Sequence, residues 1–201
     1  MKKILLTFVL CGLVGVAFAQ TNFGVTAGLN VSNETVKAGS LTLTPDWKAG
    51  FQAGVFMDYA LTPQISLIPE LLFTQRGMKM KEMFGEKIDA SLTLNYIQLP
   101  VNVAYKFDLG NEQCFFPFVG PYVGYAISGK DKMGNESENI KFGSGEEETK
   151  PLDFGLNLGI GYQFEKIIFK LQYNLGLADL SNVPNVTCKN TNVALTVGYM
   201  F

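Results

Sequence analysis

The sequence predicts an all-β protein, an eight-stranded antiparallel up-and-down transmembrane β-barrel, and three observations predict it. Apolar and polar residues alternate with a period of 2 through eight separate runs, the spacing of a two-faced strand. The segments between those runs alternate between long and short, as in a barrel with loops on one side of a membrane and tight turns on the other. The last run, 190–201, carries the alternation up to an aromatic residue, Phe201. A strand placed there can pair with the first one and close the sheet.

Residues 1–19 read as a signal peptide. Lys2 and Lys3 form the positive start, 4–18 the apolar run, and Ala17-Phe18-Ala19 the small-x-small cleavage pattern. Cys11 lies within that run after Phe8-Val9-Leu10, without the small residue a lipoprotein site places before its cysteine. It is expected to leave with the leader. The barrel domain is then 20–201, about the size of one ordinary domain. Without Lys2 and Lys3 it has 16 − 2 = 14 basic against 18 acidic residues, and no basic cluster suited to nucleic acid. It contains no stretch of the ~18 consecutive apolar residues that a membrane helix needs.

The first run, 22–31, sets Phe23, Val25, Ala27, Leu29 and Val31 against Asn22, Gly24, Thr26, Gly28 and Asn30. The second, 47–59, sets Trp47, Phe51, Val55 and Tyr59 against Lys48, Gln52, Gly54 and Asp58. The third, 65–76, is noisier, with Leu67, Leu71 and Phe73 opposite Glu70, Thr74 and Arg76. In the fourth, 92–107, Ile97, Leu99, Val101 and Val103 oppose Gln98, Asn102 and Lys106, but 92–96 has the opposite phase. That reversal predicts a bulge, or a strand that starts near Asn95. The fifth, 115–127, contains Pro117 and Pro121, unusual inside a sheet. The sixth, 152–164, is the cleanest, and the seventh, 167–177, follows after only Glu165-Lys166, a tight hairpin.

The connections 32–46, 77–91, 128–151 and 178–189 are long, and 60–64, 108–114 and 165–166 are short. An even strand number then puts both termini on the short-turn, periplasmic side. Runs of about ten residues suffice to cross a bilayer at a tilt, and closure leaves no unpaired edge in hydrocarbon. Aromatic residues collect where two interfacial belts belong: Phe23, Tyr59, Phe107, Phe115, Phe164 and Phe201 at one end, Trp47, Phe73, Tyr125, Phe154 and Tyr173 at the other. Period 2 alone also admits a soluble, secreted ligand-binding barrel or sandwich, in which the apolar stripe would face inward.

From the third run onward the chain resembles the PorT-like outer-membrane beta-barrel family common in Bacteroidetes. The matching stretches are Ile68-Pro-Glu-Leu-Leu72, Tyr96-Ile-Gln-Leu-Pro100, Phe118-Val-Gly-Pro-Tyr122, Phe154-Gly-Leu-Asn-Leu-Gly-Ile-Gly-Tyr162, Tyr173-Asn-Leu-Gly-Leu177 and Leu195-Thr-Val-Gly-Tyr-Met-Phe201. The resemblance implies a single small barrel in the outer membrane of a Gram-negative bacterium. Some relatives are linked to type IX secretion, which makes a secretion-accessory role an expectation from resemblance. It carries over no functional residue.

The complete absence of histidine excludes histidine-based hydrolysis. No residue pattern marks a catalytic, cofactor-binding or metal site, so none is assigned and the protein is expected not to be an enzyme. Gly155-x-x-x-Gly159-x-Gly161 has one parity inside a strand and no helix pattern after it. It reads as small interior residues, not a phosphate loop. Inward charges say more. Lys48, Arg76 and Asp153 belong near the outer mouth, Glu70 and Lys170 near the middle, Asp58 and Lys106 near the periplasmic end. Mixed signs at similar heights predict ion-paired plugs, and an eight-stranded interior is just large enough for its own side chains. No useful pore is expected, and a small-solute or ion channel is the alternative.

The loop 128–151 holds Asp131, Glu136, Glu138 and Glu146-Glu147-Glu148 among lysines. It reads as a solvated contact surface for a protein partner, with cation capture as the alternative. Other expected partners are outer-membrane lipid and, through the last strand with Phe201, the barrel-insertion machinery. Cys114 and Cys188 fall at opposite ends of the barrel, across the ~25 Å apolar band, so no bridge is expected between them.

Overall fold

A computed structural model describes residues 21–39, 41–43, 45–83, 86–134, 136–145 and 148–201, with only the backbone at 82, 83, 86 and 87. The expected leader and its cleavage point lie outside the described residues. The strands are β1 (Thr21–Ala38), β2 (Leu41–Leu43), β3 (Asp46–Ala60), β4 (Ile65–Met83), β5 (Glu86–Tyr105), β6 (Phe107–Gly110), β7 (Gln113–Met133), β8 (Glu136–Asn139), β9 (Leu152–Phe164), β10 (Ile167–Gly176) and β11 (Val186–Met200). Eight of them form a ring in the order β1-β3-β4-β5-β7-β9-β10-β11, every neighbour antiparallel. The ring closes where β11 pairs with β1, from Gly24↔Met200 to Ala38↔Val186. Short strands extend it: β2 on β1, and β6 and β8 on β7.

The direction of the two stripes decides between the readings that periodicity left open. Along β9, Leu152, Phe154, Leu156, Leu158 and Ile160 are exposed, while Asp153, Gly155, Asn157 and Gly161 are buried. β10 repeats this, with Phe169 and Leu171 outward and Lys170 and Gln172 inward. Apolar residues therefore cover the outside and the polar stripe turns inward, which corrects the soluble-barrel alternative. A soluble monomer rarely exposes more than a few hundred Å² of contiguous apolar surface, whereas hydrocarbon around such a wall removes the cost.

The short turns fall where expected. Asn111 and Glu112 adopt positive φ of 53° and 58° in the turn from β6 to β7, the conformation that matches a two-residue hairpin. Glu165 does the same, at 52°, between β9 and β10. The long connections are shorter than expected, because the strands continue past the apolar band: β1 to Ala38, β4 to Met83, β5 back to Glu86 and β7 to Met133. There polar residues stand on both faces, including the buried Ser32 and Glu34, so no apolar alternation marks the strand.

The phase reversal at 92–96 is neither a bulge in its own strand nor a strand start. β5 begins at Glu86 and keeps one parity through Leu94, Tyr96 and Gln98, all buried. The bulge lies on β7, where the pairing steps from Asn95↔Ser128 to Tyr96↔Ala126. Pro117 and Pro121 stand in β7 on its outward parity, and both pair with β9. The β5–β7 pairing skips from Pro100↔Tyr122 to Val103↔Val119, so Pro121 sits where no ladder bond to β5 is required.

Candidate functional site

Among the described residues, buried charged and polar groups converge in the lumen, and they do so in layers. At the short-turn mouth Lys106 pairs with Asp58 at 2.5 Å. Above this lies an apolar plug of Phe56, Ile68, Ala104, Phe116, Phe118 and Ile168, with Cys114 and Met200 packed against it. The register explains why large rings fit in so narrow a barrel: Phe116 faces Gly161, Phe118 faces Gly159, Tyr122 faces Gly155 and Phe56 faces Gly24. A methyl group at Gly159 would come within 2.6 Å of the Phe118 ring, and one at Gly155 within 2.8 Å of Tyr122. The glycine series on β9 is thus the bed for the aromatic series on β7.

The next layer is ionic. Lys170 Nζ donates to Glu70 Oε2 at 2.6 Å and stands 5.5 Å from the Phe56 ring centroid. Asn102 donates to the other Glu70 oxygen at 3.2 Å. From there an amide chain runs around the wall: Asn192 donates to Asn174 at 2.8 Å, Asn174 to Asn157 at 3.0 Å, and Asn157 to Asn102 at 3.0 Å. Each amide orients the next, so the chain ties β11, β10, β9, β5 and β4 together inside the barrel.

Nearer the long-loop end, Arg76 and Asp153 meet at 3.2 Å with exposures of 1% and 0%, so water cannot screen or replace the pair. Gln98 Oε1 accepts from the same guanidinium. Tyr122 and Asn190 each donate to Asp153 Oδ2 at 3.2 Å, and Asn190 also donates to Tyr96 Oη at 3.2 Å. The guanidinium carbon lies 5.7 Å from the Tyr96 centroid and 5.3 Å from that of Tyr122, a cation between two aromatic faces. Above this clamp, Leu94, Tyr96 and Ala126 form a second apolar cluster, onto which Ile140 and Phe142 pack from the loop after β8.

Each of the three mixed-sign groups expected from the sequence therefore yields one ion pair among the described residues. Lys48 joins none of them: its ammonium donates to the Leu92 carbonyl at 3.0 Å and to the Thr93 hydroxyl. Several partners carried no signal in the sequence. Asn102, Asn157, Asn174 and Asn192 look like ordinary polar positions of inward parity, and only the register shows that they meet. Glu34, expected in a loop, is buried and accepts a hydrogen bond from the Cys188 thiol at 3.1 Å. Cys114 lies at the other end, its thiol 3.7 Å from Gln163 Oε1, and both cysteines are free.

The loop 128–151 is more ordered than its composition suggested. β7 and β8 form a ribbon, Phe142 bridges to Thr149, and Asn182 Nδ2 donates to the carbonyls of Gly143 at 3.0 Å and Glu148 at 2.9 Å. Lys150 Nζ donates to Ser181 O at 2.6 Å. The loop is thus tied to the one before β11, and its apolar residues cover the lumen. Among the described residues no three acidic or thiol groups converge as metal ligands; Glu146 and Glu147 lie outside them.

A family model described as "Outer membrane protein beta-barrel domain" matches residues 18–182. No curated protein matches the chain. Among solved structures, Neisserial surface protein A is similar at 14% identity and a TM-score of 0.51, covering 89% of this chain and 97% of that one. OprG of Pseudomonas aeruginosa is similar at 11% identity and a TM-score of 0.48, covering 90% and 95%. Ail of Yersinia pestis, solved with the heparin analogue sucrose octasulfate, is similar at 18% identity and a TM-score of 0.43, covering 90% and 99%. At these identities the likeness is one of fold.

Proposed function

The chain belongs to the family of outer membrane protein beta-barrel domains, and from that premise we propose that it is a closed, non-enzymatic barrel that works by contact. One observation carries this reading: two apolar clusters and two buried ion-pair layers occupy the lumen in succession. Solute transport would need every one of them displaced. The strand extensions and joined loops at the opposite end from the short turns supply the contact surface, facing outward, with the termini in the periplasm.

The PorT-like resemblance supports a secretion or envelope-assembly partner for this surface. The exposed Tyr199–Phe201 ring pair, with centroids 6.0 Å apart, suits recognition by the insertion machinery. Refolded protein in planar bilayers is expected to show no stable conductance, and steady ion-sized steps would assign the channel function instead.

A further inference from the structure

We propose that the outer wall of β4, β5 and β7 binds a phosphorylated lipid of the outer leaflet, with Lys79, Lys130 and Lys132 on the phosphates and the apolar wall below them on the acyl chains. The leaflet assignment rests on the outward orientation of the long loops given above. Cross-strand register brings the cations together. Lys79 pairs with Ser91, which pairs with Lys132; one row nearer the membrane, Gly77 pairs with Thr93, which pairs with Lys130. Neighbouring strands lie ~4.8 Å apart, so Lys79 and Lys132 stand about 10 Å apart across β5. Ser91 lies between them, and in the next row the Thr93 hydroxyl accepts from the Lys48 ammonium.

The bulge on β7 sets the facing. Beyond it the buried position is Gly129, and Lys130 and Lys132 are exposed. The β7–β8 ribbon then sorts its charges by side: Lys130↔Asn139 and Lys132↔Ser137 share the lysine face, whereas Asp131↔Glu138 and Met133↔Glu136 occupy the other. Asp46, opposite Lys79, flanks this face at its edge. None of the three ion pairs among the described residues uses these lysines.

Height fits as well. Ile97, Tyr125 and Ile127 are exposed apolar residues on the same wall. Lys130 follows Ile127 by three residues, about 10 Å along a strand, which places its ammonium at the headgroup layer with its stem along the apolar surface. On the far wall β9 and β10 end at Leu152 and Gly176, and Lys150 is engaged by Ser181. Lys37 and Lys189 are also exposed at this end, on β1 and β11, and what sets the β4–β7 sector apart is three lysines within two adjacent rows.

The test uses the full chain refolded into phosphatidylcholine nanodiscs doped with bis-phosphorylated lipid A, with retained lipid read by native mass spectrometry. Wild type is expected to retain the lipid. The variant K79Q/K130Q/K132Q should lose retention by about tenfold or more, as three lysines at a charged lipid surface imply. The equally charged control K37Q/K141Q/K189Q should stay within about twofold of wild type, and heat-modifiable migration reports that both variants fold. Equal retention by the triple variant, equal loss by the control, or equal retention of dephosphorylated lipid A would overturn the site. Displacement by inorganic phosphate alone would also overturn it, since the site would then be one for a free anion. An epitope inserted after Gly143 that is unreachable on intact cells would overturn the outer-leaflet placement while leaving nanodisc binding intact, so the two failures are told apart.

Discussion

The two halves of the lumen solve one problem by different means. Towards the short turns the barrel is filled by Phe56, Ile68, Phe116, Phe118 and Ile168, held by dispersion and by the glycines that accommodate their rings. Towards the long loops it is filled by Arg76, Asp153, Gln98, Asn190 and two tyrosines, held by directed bonds. An apolar plug tolerates exchange of shape, because no single atom depends on one partner. A buried charge network does not, because losing one member strands the rest. The half towards the long loops is thus rigid in its chemistry, and the other is permissive.

That contrast has measurable limits. The largest effect is expected at the clamp: Arg76→Ala leaves the Asp153 carboxylate buried without its cation and should cost about 3–5 kcal/mol in denaturant unfolding from vesicles. Replacing both partners, as R76M/D153L, should cost less than Arg76→Ala alone, and an additive loss would mean the ion pair is not what couples them. The smaller effect is expected in the plug. Phe118→Leu keeps an apolar side chain over Gly159 and should cost below about 1.5 kcal/mol; a loss as large as that of Arg76→Ala would erase the distinction.

Much of this architecture was legible in the chain, for a physical reason. Where one face meets lipid and the other the lumen, the two environments differ at every second residue, so 152–164 and 167–177 announce themselves as strands. Above the membrane that difference vanishes, and the outer parts of β1, β4, β5 and β7 read as loops although hydrogen bonding continues through them. Periodicity could not say which stripe faces in; ring closure and the burial of Asp153 and Lys170 do. Charges of opposite sign at similar heights pointed to ion-paired plugs, but the individual pairs, and the exclusion of Lys48 from them, come from the register. The asparagine chain could not be foreseen, because it depends on the relative stagger of strands remote in sequence. The inverted phase at 92–96 was informative in a different way: Leu94 and Tyr96 turn inward to meet Ile140 and Phe142, so the anomaly marks the cap and not a strand boundary.

The central claim is that the lumen is sealed twice, independently. Its most direct measurement is single-channel recording on four proteins: wild type, a plug variant F116A/F118A, a clamp variant R76A/D153A, and the two combined, each shown folded by heat-modifiable migration. Wild type and either partial variant should stay closed, and steady current, where any of the four carries it, should appear only in the combined variant, in which the Glu70–Lys170 layer is the ion pair left across the lumen. Steady ion-sized conductance in wild type, or in either partial variant, would contradict two independent seals.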